Sequence, residues 1–585
     1  MLGLIGYGLL MMCSSVSWSP SAHAQEGGLI APPPRSRPLE LPPPPSPPSP
    51  ALPPAPRRVL PPVPPAGPNT APLARMRLQR IIVSGSTVFS PQQIATVTRP
   101  YIGHEVTSEQ LETLRLALTQ LYLDHGYINS GAILPDQTVT GGEIRFRIIE
   151  GELTEVVIAN NRWFRDTYLS RRLRLGIVKP LHLGALQERL QLLQQDERIA
   201  RFQAQLRPGV RLGESELHVR VEEALPFTAA LEFNNYQSPT VQAERGLLTV
   251  AHRNLTGYGD TLGILIEGAS DQNLRLDATY SLPLNPQETT ASVQYQHYHS
   301  LVTEAPFDRL DLQGHSEIFT LALRHPVYRT LQHEFALTLS GEHLNSETTF
   351  LGGAAVPTPG AEDGKTTITA LRLTAEWTAR TLNQVIALRS QFSLGVDLFG
   401  ATINTVEDDP TTPEQDESVV PTGRFFVWLG QAQWVRRLTP YDIQLLFRLD
   451  AQVSNDPLFP LEQIAIGGRF SVRGYRENQL VRDNALLISL ESRFPLMRRR
   501  RWAEFLQIVP FVDFGWGQNR DVFTPSPDAL ASVGVGVRWA ARWTAVVPLR
   551  LQFEVFWGQK LVEVSTPGGD LQDMGLHLQF GLSSF

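Results

Sequence analysis

From Pro226 onward, apolar and polar residues alternate with a period of two, segment after segment, over about 360 residues. Successive side chains of an extended strand point to opposite faces, so each such segment builds one apolar and one polar face of a sheet. In "PLRLQFEVFW", Leu549, Leu551, Phe553, Val555 and Trp557 share one face while Arg550, Gln552 and Glu554 share the other. In "VIALRSQFSLGVDLF", Ile386, Leu388, Phe392, Leu394, Val396 and Leu398 oppose Arg389, Gln391, Ser393 and Asp397. The same holds around 443–453, where Ile443, Leu445, Phe447, Leu449 and Val453 oppose Gln444, Arg448, Asp450 and Gln452.

A soluble sandwich alternates too, but its strands average about 5–6 residues. Here the segments run to about 9–14 residues and their second face is repeatedly charged. A transmembrane barrel strand needs about 9–11 residues, apolar towards lipid and polar towards the lumen. Sixteen segments fit the length, and an even number places both ends of the barrel on one side of the membrane. The connections alternate in length, apart from a short outer one at 270–273. "NPQE" (285–288), "LTP" (438–440) and the Arg329-Thr330 junction are short, as periplasmic turns are; 301–314, 345–365, 400–423 and 454–483 are long, as outer loops are. This topology predicts the acidic run 407–417 outside and Arg498–Arg501 at a periplasmic turn.

Residues 75–223 read differently. "LQRIIVSGSTVF" alternates like a strand; Ser90 with Gln93, and Thr107 with Gln110, form capping boxes. In "SEQLETLRLALTQLYLDHG", Leu111, Leu114, Leu118, Leu121 and Tyr122 recur at helical spacing. Strands near 130–135 and 143–149 follow, and a second round runs through "LTEVVIAN", a helix near 167–174, "LGALQERLQLLQQ", and strands near 199–206 and 215–222. Two β-α-α-β-β units, 75–150 and 151–223, fit the stretch, with Gly126 and Gly176 as helix stops.

At the N-terminus an apolar run ends in Ala22-His23-Ala24, an A-x-A cleavage pattern, so 1–24 reads as a signal peptide although no basic residue opens it. The single cysteine, Cys13, lies inside that segment, and Met12 before it argues against lipidation. A processed chain would have no thiol for disulfides, catalysis or metal. Residues 32–72 hold 20 of the 46 prolines, so 25–74 reads as an extended linker.

Between two alternating segments lies "GGRFSVRGYREN" (467–478), which crowds Arg469, Arg473 and Arg476 among glycines and aromatics. It contains "VRGY" (Val472, Arg473, Gly474, Tyr475), and the next segment but one contains "FVDFG" (Phe511, Val512, Asp513, Phe514, Gly515). "NLTGYGD" (254–260) is a Gly-rich turn after the second segment. Two β-α-α-β-β units before a 16-stranded barrel, with these motifs at these strand ordinals, resemble the two-partner secretion transporters of the haemolysin-activator type, within the superfamily that carries polypeptide-transport-associated (POTRA) domains.

The resemblance implies a mainly β fold, a 16-stranded antiparallel transmembrane barrel (224–585) behind two α+β POTRA domains, with loop 454–483 folded into the lumen. It implies that Val472, Arg473, Gly474 and Tyr475 are that loop's motif and that Phe511, Asp513 and Gly515 are its receptor on the wall. Parity agrees: if Leu506, Ile508, Pro510, Val512 and Phe514 face lipid, Phe511, Asp513 and Gly515 face inward, and an inward Asp wants a cation such as Arg473. Phe470, Tyr475 and Phe511 would shield the pair.

The implied partners are a secreted exoprotein with its own N-terminal secretion domain, outer-membrane lipid, and the barrel-assembly machinery during biogenesis; the pore would be a monomer. The plug helix that members often carry has only Gln25–Ala31 ahead of the prolines, too little to span a pore. Phe585 matches a barrel C-terminal signal, but Leu576, Leu578, Phe580 and Leu582 are one position out of phase with it, which predicts a bulge or a frayed end.

No catalytic set appears, so no enzyme activity and no cofactor is expected, and a net charge of −7 gives no reason to expect nucleic acid. His297 and His299 are spaced for one strand face, but nothing in the sequence joins them as metal ligands, so no metal is expected. The competing readings are a barrel-assembly factor of the same superfamily, which would carry more POTRA units, and a passive channel or receptor, which would not need the periplasmic units.

Overall fold

The computed structural model describes residues 75–585 apart from 271–272, 357, 405–419, 439, 501–502, 545–547 and 585. The signal and Pro-rich segments, the acidic run, Arg501 and Phe585 lie outside the described residues. The described chain forms two compact units that divide at Leu225–Pro226.

In the N-terminal unit, the Ser90 hydroxyl caps helix Pro91–Thr98 and the Gln93 side chain returns the bond; Thr107 and Gln110 do the same for helix Ser108–Asp124. Each box satisfies amide donors that a helix start leaves without partners. The long helix buries Leu111, Leu114, Leu118 and Tyr122 against Ile144, Phe146 and Ile148 of strand Glu143–Ile149. That strand is central, parallel to Arg80–Ser84 and antiparallel to Gly131–Ile133. The second round repeats the plan: Glu214–Glu223 is central, parallel to Glu152–Ala159 and antiparallel to Ile199–Pro208. Helices Asp166–Arg174 and Leu183–Gln194 bury Leu169, Leu173, Leu186 and Leu190 on Leu217, Val219 and Val221. Gly126 (φ +85°) and Gly176 (φ +74°) follow helix ends in the left-handed region, where a side chain is disfavoured. Asn129 joins the rounds, its amide donating to Ser215 Oγ at 3.0 Å and to the Gly213 carbonyl at 3.2 Å.

The C-terminal unit is a closed antiparallel barrel of sixteen strands in sequence order, with a two-residue strand, Ala354–Ala355, added beside the seventh. Strand lengths run from 8 residues (the first, Phe227–Asn234) to 18 (the seventh, His333–Phe350). Alternation decides the faces. Phe319, Leu321 and Leu323 point outward, 46–55% exposed, while Arg372, Gln431 and Asp450 are buried inside. The inward charges pair: Arg372 reaches Glu342 at 3.1 Å and Glu462 at 2.9 Å, and Arg448 reaches Asp450 at 2.8 Å.

The ring closes between the last strand, Leu576–Ser584, and the first. Five residue pairs, from Asn234–Gln579 to Ala230–Ser583, make that joint, against thirteen between Ala529–Thr544 and Pro548–Lys560. The last strand keeps one register from Leu576 to Ser584. The bulge expected there is absent from the described residues, because the outward set Leu576, Leu578, Phe580 and Leu582 follows the pleat without interruption.

Candidate functional site: a loop docked inside the barrel

Loop 455–483 joins the eleventh strand (Ile443–Ser454) to the twelfth (Asn484–Arg500). Its stem is a hairpin in which Ile464–Ile466 pairs antiparallel with Leu480–Arg482. The stem and tip bury Ile466, Val472, Tyr475 and Leu480 with Leu487 and Leu530 of the wall. This apolar contact explains why a surface-ordinal loop carries aliphatic residues and turns inward. Gly467 (φ +109°) and Gly468 (φ +103°) bend the chain into the tip, and a Cβ on Gly468 would collide with the Glu477 carboxyl.

Arg473 and Asp513 meet as the sequence motifs imply. Arg473 Nε donates to Asp513 Oδ2 at 2.7 Å, Nη2 to Oδ1 at 2.8 Å, and the Arg473 backbone N–H to Oδ2 at 3.1 Å. Such a fork fixes direction as well as distance. The two side chains are 3% and 0% exposed, deep enough that neither charge can be left alone cheaply. Two further groups, absent from the motifs, complete the set. Arg473 Nη1 donates to Glu491 Oε2 at 2.7 Å, and the Ser489 hydroxyl donates to Asp513 Oδ1 at 2.6 Å. Both lie on the twelfth strand, and the outward Leu490 between them would have placed them inside by parity.

The shielding differs from expectation. The Arg473 guanidinium lies 3.7 Å over the Phe511 ring and 5.2 Å from that of Phe556, which no motif singled out. Phe470 packs edge-on against Tyr236 instead, and Tyr475 spends its hydroxyl elsewhere, donating to the Ala531 and Val562 carbonyls at 2.9 Å each. These two aromatics tie the loop to the first strand's end and to the wall rather than covering the ion pair.

Gly474 (φ +95°) crosses the wall at Gly558, and its N–H donates to His577 Nε2 at 3.2 Å. Gly515 is needed for a similar reason: a Cβ there would meet Val472 Cγ2 at 2.9 Å. Beyond the tip, Arg476 forks onto Asp573 at 2.6 and 2.7 Å and reaches Glu304 at 3.0 Å, both on other long loops. Arg469 bonds Glu554 at 2.9 Å, and Glu554 bonds Arg538 at 2.6 Å. The loop is thus held by charge pairs at three arginines and by an apolar stem. Among the described residues no helix is long and apolar enough to cross a membrane.

Residues 213–539 match the family described as haemolysin secretion/activation protein ShlB/FhaC/HecB, and residues 76–151 match the ShlB-type POTRA domain. A heme/hemopexin transporter protein HuxB of Haemophilus influenzae (strain 86-028NP) is 22% identical over 460 residues, 77% of this chain and 78% of its own. An outer membrane transporter CdiB of Dickeya dadantii (strain 3937) is 25% identical over 475 residues, 80% of each chain. The solved structure of CdiB from Escherichia coli shares the fold, with a TM-score of 0.62 at 21% identity over 87% of this chain and 90% of that one.

Proposed function

The chain belongs to the haemolysin secretion/activation family of outer-membrane secretion barrels with periplasmic POTRA domains, and on that premise we propose that loop 455–483 is the movable gate of its pore, latched by Arg473 and Asp513. The pore secretes a cognate exoprotein across the outer membrane, and the family match favours this over barrel assembly or passive conduction. The observation that carries the gate reading is the buried fork between a loop residue and a wall residue, strong when made and lost as a unit when the loop moves. The relatives are transporters, and the reading assigns this chain no enzymatic step.

The exoprotein would dock first on the POTRA sheets. Strand addition to an open edge uses backbone hydrogen bonds and demands little of the sequence. Ile199–Pro208, ten residues long and paired on one side only within its sheet, offers the longest such edge. Docking there would hold the unfolded chain on the periplasmic side, and folding outside would draw it through.

The gate is tested by locking it. A Cβ on Gly515 would stand 2.9 Å from Val472 Cγ2 and 2.5 Å from Ile466 Cγ2, so Val472→Cys with Gly515→Cys, in an Ile466→Ala background that clears the space, should form a disulfide between loop and wall. Secretion should stop on oxidation and resume on reduction. Normal secretion with the disulfide closed would refute a moving gate while leaving secretion itself untouched.

A further inference from the structure

The outward face of the barrel carries a cluster that the secretion function does not use. The fifth strand is Thr290–Leu301 and the sixth Gln313–Arg329. Both run beyond the about 9–11 residues that cross a membrane. Their outward rows are apolar where Val293 faces Leu321, and aromatic where Tyr295 faces Phe319. The next row towards the long-loop end pairs His297 with Glu317, and the row above that pairs His299 with His315. The cluster therefore sits just above the aromatic row, outside the hydrocarbon, where ionisable groups meet water and headgroups.

His297, His315 and Glu317 each offer one ligand atom there, and the three atoms lie within 4.8 Å of one another. His297 Nδ1 is 3.8 Å from Glu317 Oε1, and the two imidazoles stand edge to face with centroids 4.8 Å apart. Ligands about 2.0–2.2 Å from one ion stand about 3.4 Å apart, so small rotations of half-exposed side chains would close the set. Tyr295 donates its hydroxyl to Glu317 Oε1 at 2.8 Å, the kind of outer contact that orients a ligating carboxylate.

We propose that His297, His315 and Glu317 form a binding site for a divalent transition ion of the Zn2+ class on the outer rim of the barrel. Two imidazoles and one carboxylate suit Zn2+, Ni2+, Co2+ or Cu2+, whereas Mg2+ and Ca2+ want oxygen shells. Three protein ligands leave at least one position for water. The ion would clip the fifth strand to the sixth above the membrane and, binding only the folded barrel, would stabilise it in proportion to its concentration. Sequence spacing gives no sign of this set because His297 has no second ligand within its own segment beyond His299; the strand register brings Glu317 and His315 beside it.

The experiment titrates Co2+ and then Zn2+ into the full chain, free of any polyhistidine tag, in detergent micelles. Tetrahedral visible absorption of Co2+ gives occupancy and Zn2+ displacement gives relative affinity, while electrophoretic heat-modifiability reports that the barrel is folded. One equivalent is expected, with His297→Ala and His315→Ala each weakening binding by about tenfold or more. Glu317→Gln should do so less, and His343→Ala, outward on the next strand, should change nothing. Binding by His297→Ala/His315→Ala as tight as by the unmodified chain, or no saturable binding by the unmodified chain, would overturn the site.

Discussion

Gly474 and Gly558 lie backbone against backbone: a Cβ on Gly474 would stand 2.7 Å from the Gly558 carbonyl oxygen, and one on Gly558 would stand 2.8 Å from the Arg473 carbonyl oxygen. Gly558 has no left-handed φ, so Gly558→Ala tests the approach alone. It should push the loop off the wall at a cost of about 1–3 kcal/mol, raising pore conductance and slowing secretion while the barrel still inserts. Conductance and secretion indistinguishable from the unmodified protein would mean that the loop has slack at this crossing.

The second prediction concerns the fork. Removing one partner of a buried ion pair costs roughly 3–5 kcal/mol, because the survivor is left uncompensated. Arg473→Ala leaves Asp513 without a cation, while Glu491 keeps its own pair with Arg493 at 2.6 Å; Asp513→Ala leaves Arg473 still bonded to Glu491. Arg473→Ala should therefore impair secretion more. The exchange Arg473→Asp with Asp513→Arg should recover only part of the loss, since the fork geometry and the Arg473 backbone bond to Asp513 are both gone. Strictly additive single defects in a double-mutant cycle would show that the two do not act as a pair.

Deleting either 78–150 or 151–223 should abolish secretion and leave an inserted barrel, because each round has its own buried core. Immunodetection of exoprotein in the medium at normal levels after either deletion would remove docking from these modules.

Acid should loosen the first of these modules. Burial alone would raise the Glu150 pKa, but bonds from the Thr87 hydroxyl and N–H at 2.6 Å each, from Tyr122 at 3.1 Å and from the Val88 N–H at 3.3 Å hold it below the usual 4.5. A depressed carboxylate adds stability above its unfolded pKa and loses it as pH falls through the folded value. Amide protection over 80–150 should accordingly drop below about pH 4. Glu150→Gln should lose about 1–3 kcal/mol at pH 7 and flatten the acid response. An equal response in both proteins would assign the acid sensitivity to other groups.

Much of this architecture could be read from residue order alone. Period-two alternation separates lumen from outside wherever one face is charged, so Asp513 was legible as an inward residue beside Val512 and Phe514. Capping boxes announced both helices of the first module. What the order could not supply was contact between distant segments. His577 looks like one more residue between Leu576 and Leu578 until Gly474 is laid against it, and Asp573 is an ordinary loop acid until Arg476 reaches it. Asn129 likewise gives no local hint that it bonds Ser215. Cross-strand partners such as His297 and Glu317 depend on register, which turn lengths and bulges set one connection at a time.

The five-pair joint between the first and last strands has a kinetic consequence. Every other wall of the cylinder must lose more ladder bonds before it parts, so local opening should begin here, and its amides should exchange with deuterium ahead of those in the neighbouring staves. The same shortness makes the joint the natural last step when the sheet curls shut: the long, sequence-adjacent hairpins form from local contacts, and the pairing that links residue 230 to residue 583 waits for the whole ring to bring its ends together.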